Sequence, residues 1–170
     1  MKIKITGMIL NAFCTTIAVL LLAINANAQT PNFTGDWKID LNKSNLGGAP
    51  ASFAGSELII NQDQNTIEIQ RESILKDSTI KYTEKLSFDG KPLSSDLNTR
   101  LRVSNAKWSN DKQALIETAL VWNKSDEEKS KYKSVETFSF SPDKTTLYYI
   151  RQVESKEVNF TIKAVYNKVD

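Results

Sequence analysis

Residues 33–41 read Phe-Thr-Gly-Asp-Trp-Lys-Ile-Asp-Leu, and they alternate. Phe33, Gly35, Trp37, Ile39 and Leu41 share one face, while Thr34, Asp36, Lys38 and Asp40 share the other. Successive side chains of a β-strand point to opposite faces, so period two predicts a strand with one buried and one wet side. Outward from this stretch the period recurs at 58–60, 66–75, 79–87, 98–108, 113–122, 134–140, 146–152 and 157–168. The last segment is the cleanest, with Val158, Phe160, Ile162, Ala164 and Tyr166 on one side.

The links carry turn chemistry: Lys76-Asp77-Ser78, Phe88-Asp89-Gly90-Lys91-Pro92, Ser109-Asn110-Asp111-Lys112 and Ser141-Pro142-Asp143-Lys144. Residues 42–56, with Gly47, Gly48, Pro50 and Gly55, read as a long loop, and residues 124–133 as a charged one. No segment sustains a helical period, and no internal repeat is visible. Nine short strands with mostly hairpin-length links predict an all-β, up-and-down antiparallel meander. Closing such a sheet removes its two unpaired edges, so a barrel of eight to ten strands is expected. A β-sandwich is the alternative, disfavoured because Greek-key topology needs long crossovers.

Residues 1–28 have the layout of a cleavable export signal. Lys2 and Lys4 precede an apolar stretch from Met8 to Ile24, and Ala26-Asn27-Ala28 supplies the small residues a signal peptidase needs. Cleavage is expected between Ala28 and Gln29, which leaves a single domain, residues 29–170, in the periplasm or outside the cell. The stretch is short for a membrane anchor, so no integral membrane segment is expected after cleavage. The full chain has 22 Lys+Arg against 20 Asp+Glu, and losing Lys2 and Lys4 makes the two signs equal. A neutral domain without a basic block offers no footprint for nucleic acid or an anionic membrane.

There is no histidine, and the one cysteine, Cys14, lies in the signal. The exported domain therefore lacks thiols and imidazoles, which serve most nucleophilic catalysis, near-neutral proton transfer and soft-metal binding. No enzyme, cofactor or metal site is expected. Asp126-Glu127-Glu128 reads as a solvated loop neutralised by Lys124, Lys129 and Lys131, without the ligand spacing of a calcium loop. The other acids, Asp36, Asp40, Glu57, Glu68, Glu72, Glu136, Glu154 and Glu157, mostly fall on polar strand faces or at strand ends. The aromatics Trp37, Trp108, Trp122, Tyr82, Phe138, Phe140, Phe160 and Tyr166 read mainly as core.

Gly35-Asp36-Trp37 resembles the G-x-W opening of lipocalins. Gly35, Trp37, Asp40 and Ser44, the Phe88–Lys91 turn and the Ser141–Thr145 turn are together similar to small exported bacterial lipocalin-like (calycin-like) proteins of uncharacterised function. The resemblance implies a lipocalin-like barrel around a small apolar cavity, with the long loop after the first strand lying across the mouth. It also implies a basic residue near the C-terminus covering Trp37, for which Lys168 is the candidate. Trp37 itself is expected to close the barrel floor.

One constellation departs from simple alternation. Arg71 shares the apolar face of Ile67 and Ile69, and Glu84 that of Ile80, Tyr82, Leu86 and Phe88. A two-residue loop at Asp77-Ser78 sets Arg71 opposite Glu84; a shift of two residues sets it opposite Tyr82. An interior charge without a partner costs several kcal/mol, so the two charges are expected to pair. Three readings follow: a structural ion pair near the rim, a bulge turning one residue outward, or, with the family, Arg71, Tyr82 and Glu84 holding a ligand's polar head. The corresponding function is binding of a small hydrophobic or amphipathic ligand without catalysis. The alternative is a cell-envelope interaction or structural domain with a filled interior.

Overall fold

The computed structural model describes residues 29–75, 78–126 and 131–169. The export signal and most of the acidic run (Glu127 and Glu128) lie outside the described residues. Ten strands follow in chain order: β1 (Gly35–Ile39), β2 (Glu57–Gln62), β3 (Thr66–Leu75), β4 (Ser78–Ser87), β5 (Leu93–Leu97), β6 (Arg100–Trp108), β7 (Ala114–Asn123), β8 (Tyr132–Phe140), β9 (Thr146–Glu154) and β10 (Asn159–Lys168). All neighbours pair antiparallel in one sheet, ordered β4-β3-β2-β1-β10-β9-β8-β7-β6-β5. The result is the expected meander, rolled into a nearly closed barrel, and the sandwich is excluded. β4 and β5 lie side by side with no ladder between them among the described residues, which leaves a seam.

Two elements differ from expectation. β5 is absent from the alternating segments because Leu-Ser-Ser-Asp-Leu offers only two apolar residues and no β-branched one. β8 begins at Tyr132, inside the segment read as charged loop, because pairing with Val121 carries the hairpin further than its hydrophobic pattern does.

Three turns at one end of the barrel share a device. In Ser87–Gly90, Ser109–Lys112 and Ser141–Lys144 the serine hydroxyl bonds the aspartate two residues on, at 2.8, 2.5 and 2.5 Å. The aspartate then accepts the backbone N–H of Lys91, Gln113 or Thr145. Gly90, Lys112 and Lys144 all adopt positive φ, as tight reversals demand.

That end is the floor. Phe33, Trp37, Trp108 and Phe140 meet there, with ring centroids 6.0 Å apart for Phe33–Trp108, 4.8 Å for Phe33–Phe140 and 5.5 Å for Trp37–Phe140. Trp37 is 1% exposed, and its indole N–H donates to Phe33 O at 3.0 Å. Lys168 pairs with Trp37 across β1 and β10, and its ammonium lies 5.9 Å from the ring centre, over the indole face. Gly35 adopts a φ of +144°, a backbone conformation that L side chains rarely take, and the Lys168 stem passes 3.0 Å from where a Cβ would sit.

At the opposite end, residues 40–56 strap across the mouth. The strap bridges to β10 at Asn45–Lys163 and includes one 3-10 turn, Ala51–Phe53. Interior side chains hold successive carbonyls of it: Ser73 bonds Ser52 O, Arg151 bonds Phe53 O at 2.8 Å, and Tyr166 bonds Ala54 O at 2.6 Å and Gly55 O at 3.1 Å. A Cβ on Gly47 would lie 2.4 Å from Thr161 O, so only glycine lets the strap approach β10 this closely.

Candidate functional site: a buried charged layer

Between floor and strap the barrel carries a layer of charge. The described residues place Arg71 (β3), Glu84 (β4), Arg102 (β6), Glu117 (β7), Glu136 (β8) and Arg151 (β9) inward, each no more than 5% exposed. Every one sits at an inward position of its strand, so the alternation that builds the core also delivers the charges.

The β3–β4 register has Leu75 facing Ser78, which sets Arg71 opposite Tyr82 and leaves Glu84 on the diagonal. Of the two registers considered, the shifted one is realised. Arg71 and Glu84 do pair, with Nε donating to Oε1 at 3.0 Å, but the pair is deep in the barrel and not at the rim. Tyr82 is partly buried on the same face. Ile80, one step nearer the mouth on that face, is 48% exposed, as part of a β3–β4 hairpin end whose residues 78–81 are all exposed.

Glu136 is the hub, and it corrects the expectation that this acid lies on a polar face. Its Oε2 accepts from Arg71 Nη2 at 2.7 Å and from the Tyr149 hydroxyl at 2.8 Å. Its Oε1 accepts from Arg102 Nη2 at 2.8 Å and from Ser134 Oγ at 3.0 Å, with Arg151 Nε 3.5 Å away. Arg151 Nε in turn donates to Ser134 Oγ at 3.1 Å, linking the layer to the strap. Arg102 joins three carboxylates: Nη2 donates to Glu117 Oε1 at 2.5 Å and to Glu136, and Nε lies 2.7 Å from Glu84 Oε2. Arg102 on β6 thereby ties to Glu84 on β4 across the seam that no backbone ladder closes.

The surroundings divide the three glutamates. Burial pushes the Glu136 carboxyl up, but Arg102, Arg71 and Arg151 outweigh it and hold the group well below the usual carboxylate range. Glu117 has Arg102 at hydrogen-bonding distance and Glu84 and Glu136 close by; burial first, then Glu84, pushes it up to about 8. The same layer thus shifts Glu117 toward the protonated form and Glu136 toward the carboxylate. Burial also pushes the phenols of Tyr82, Tyr149 and Tyr166 upward.

Carboxylate oxygens of Glu84, Glu117 and Glu136 lie within 4.8 Å of one another, a spacing that suits a cation. Arg71, Arg102 and Arg151 already fill that role, and a divalent ion would face three guanidiniums. The layer is not completely satisfied. Arg71 Nη1, Ser104 Oγ, Glu84 Oε2 and Glu117 Oε2 are enclosed yet make no hydrogen bond, although Glu84 Oε2 keeps its ion pair with Arg102. All four atoms sit on β3, β4, β6 and β7, flanking the seam. A concavity of about 630 Å³ lies elsewhere, against outward-facing residues of β8–β10 such as Lys133, Gln152 and Thr161.

Three members of the layer are not among the residues singled out by sequence. Glu117 lies in the apolar phase of β7 between Leu115 and Ala119, and Arg151 in that of β9 between Tyr149 and Val153, so a charge in an apolar phase is their available signal. Arg102 offers none, because its neighbours in phase on β6 are Arg100 and Ser104.

No family model matches the chain, and no curated protein matches it. Among solved structures it is similar to secretory abundant heat soluble protein 4 from Ramazzottius varieornatus, at 12% identity and a TM-score of 0.48, covering 84% of this chain and 99% of that one.

Proposed function

We propose that this is an exported, non-catalytic, lipocalin-like barrel that takes a small amphipathic ligand into the mouth side of its interior. The polar head turns toward Arg71, Tyr82 and Glu84. The observation that carries this reading is Arg71 Nη1: a guanidinium nitrogen wholly enclosed, with no partner. Buried polar groups without partners are rare and costly, and they mark places where a water or a ligand belongs. The partial exposure of Ile80 and Tyr82, in phase with Glu84 on β4, supports entry from the β3–β4 side. Export rests on the tripartite N-terminus. A non-catalytic role rests on the lack of histidine and on acids held in ion pairs rather than presented across a cleft.

A second reading, a structural barrel with a filled interior, draws support from β8 and β9, where Glu136, Ser134, Arg151 and Tyr149 satisfy one another. Native mass spectrometry of protein purified from its own host separates the two. An added mass that organic extraction removes is the expected result. A bare protein mass, together with no uptake of added C12 amphiphiles, favours the filled barrel and overturns the ligand reading.

A further inference from the structure

We propose that the outer face of β8 and β9 is a contact surface for a second copy of this chain, the two copies pairing about a two-fold axis that runs along the strands between β8 and β9. The pairing is independent of whether the interior holds a ligand.

The outer wall of the barrel has two halves of different chemistry. On β1–β4 the outward positions are laced with charge: Lys38 pairs with Glu57 at 3.8 Å, Lys81 pairs with Glu72 at 2.6 Å, and Glu68 faces Lys85. On β7–β9 large apolar side chains stand in solvent instead, Leu120 and Tyr148 each 42% exposed and Ile150 36%. Alternation turns them outward, because Ala119, Val121, Tyr149 and Arg151 beside them are buried. An apolar patch on an outer wall marks a contact surface.

The register of β8 with β9 says what fits that surface. Four outward rows cross the two strands: Lys133 with Glu154, Val135 with Gln152, Thr137 with Ile150 and Ser139 with Tyr148. In the last two rows the large residue stands on β9 and the small one on β8. In the first row the acid stands on β9 and the base on β8. A two-fold axis between these strands lays β9 of one copy over β8 of the other, row for row. Ile150 then meets Thr137 of the second copy, Tyr148 meets Ser139, and Glu154 meets Lys133. Each contact is made twice, as an isologous interface requires.

The flanking strands fit the same axis, which lays β7 over β10. Leu120 shares the row of Lys133, and Asn159 shares that of Glu154, so Leu120 of one copy comes down at Asn159 of the other. The wall is recessed there: the concavity of about 630 Å³ is lined by Asn159, Thr161, Gln152 and Glu154, with Lys133 and Val135 from β8. A protruding leucine therefore meets a recess. Net charge does not oppose the pairing either, since the chain beyond Ala28 carries both signs in equal number. A barrel wall curves away on either side of such a contact, so the interface is small and suits a weak dimer.

The test is sedimentation velocity of the full chain from about 1 to about 200 µM, where a monomer–dimer equilibrium of micromolar strength is expected. Lys133→Glu and Glu154→Lys each set like charges face to face between the copies and are expected to weaken the dimer at least about tenfold. Both side chains are exposed, so neither change endangers the fold. An equimolar mixture of the two variants is expected to recover a dimer, because each copy then faces the opposite sign on the other. Leu120→Ser tests the recess without touching charge and is expected to weaken the dimer, while Lys81→Glu on the ion-paired wall leaves it unchanged. A wild-type chain that stays monomeric across the range overturns the proposal. So does a dimer that K133E, E154K and L120S all leave at wild-type strength, and so does a mixture of K133E and E154K that remains monomeric.

Discussion

The floor and the charged layer meet on β6 and β8, where Trp108 stands six residues from Arg102 and Phe140 four from Glu136, and they hold the barrel by opposite means. At the floor, Phe33, Trp37, Trp108 and Phe140 exclude water through contacts that have little directional demand. Burial of this kind scales with area and tolerates adjustment. In the layer, Arg71 and Arg102 each join carboxylates on different strands, at distances of 2.5 to 3.0 Å for their main contacts. Those contacts are directional and mutually dependent, and they span the β4–β5 seam where hydrogen bonds between strands are missing. The difference teaches a division of labour: the floor adds net stability and tolerates adjustment, while the layer supplies closure and polarity inside an otherwise apolar tube and is costly to break from one side.

If that division is right, the largest effect belongs to Glu136→Gln. Arg71, Arg102 and Arg151 all lose their shared counter-charge, and breaking a buried ion pair from one side costs about 3–5 kcal/mol. Urea unfolding is expected to show a loss at the upper end of that range. A loss below about 1 kcal/mol would break the comparison, since it would mean water reaches the layer.

Trp37→Ala comes next, at about 3–4 kcal/mol by the same measurement, the cost of emptying a buried aromatic site whose neighbours partly relax. The double replacement Arg71→Met with Glu84→Met sharpens the contrast. Each single change is expected to cost about 2–3 kcal/mol by stranding its partner, but the double only about 1 kcal/mol, because Glu136 keeps Arg102 and Arg151 and apolar isosteres replace the pair. Simple additivity of the two single changes would show that the layer behaves like the floor. The smallest effect is Lys168→Ala, about 0.5–1 kcal/mol for a cation over the face of Trp37. Indole fluorescence of Trp37 reports directly whether the cover has gone.

Much of the floor was legible because each of its residues obeys a local rule. Phe33, Gly35 and Trp37 declare themselves by alternation, and the Ser-x-Asp turns declare the hairpins. β5 was not legible, because a five-residue strand of Ser and Asp is held by pairing with β6 and not by its own preference. The layer was legible only in its first pair. Arg71 and Glu84 lie on adjacent strands joined by a short turn, so register arithmetic brings them together from sequence alone.

Sequence by itself determined the strand period, the turn chemistry, the meander and the presence of paired charge on the apolar face of β3 and β4, since all of these depend on residues within one hairpin of each other. Tertiary structure alone decided that Glu136, distant in the chain, is the partner Arg71 shares with Arg102 and Arg151, that Glu117 is the acid left short of cations, and that β4 and β5 part at a seam. The physical reason is closure. Rolling the sheet brings the inward faces of β3 and β8 within 2.7 Å of each other at Arg71 and Glu136 across the barrel, and in that enclosed space the protonation of one carboxyl depends on every charge the other strands deliver.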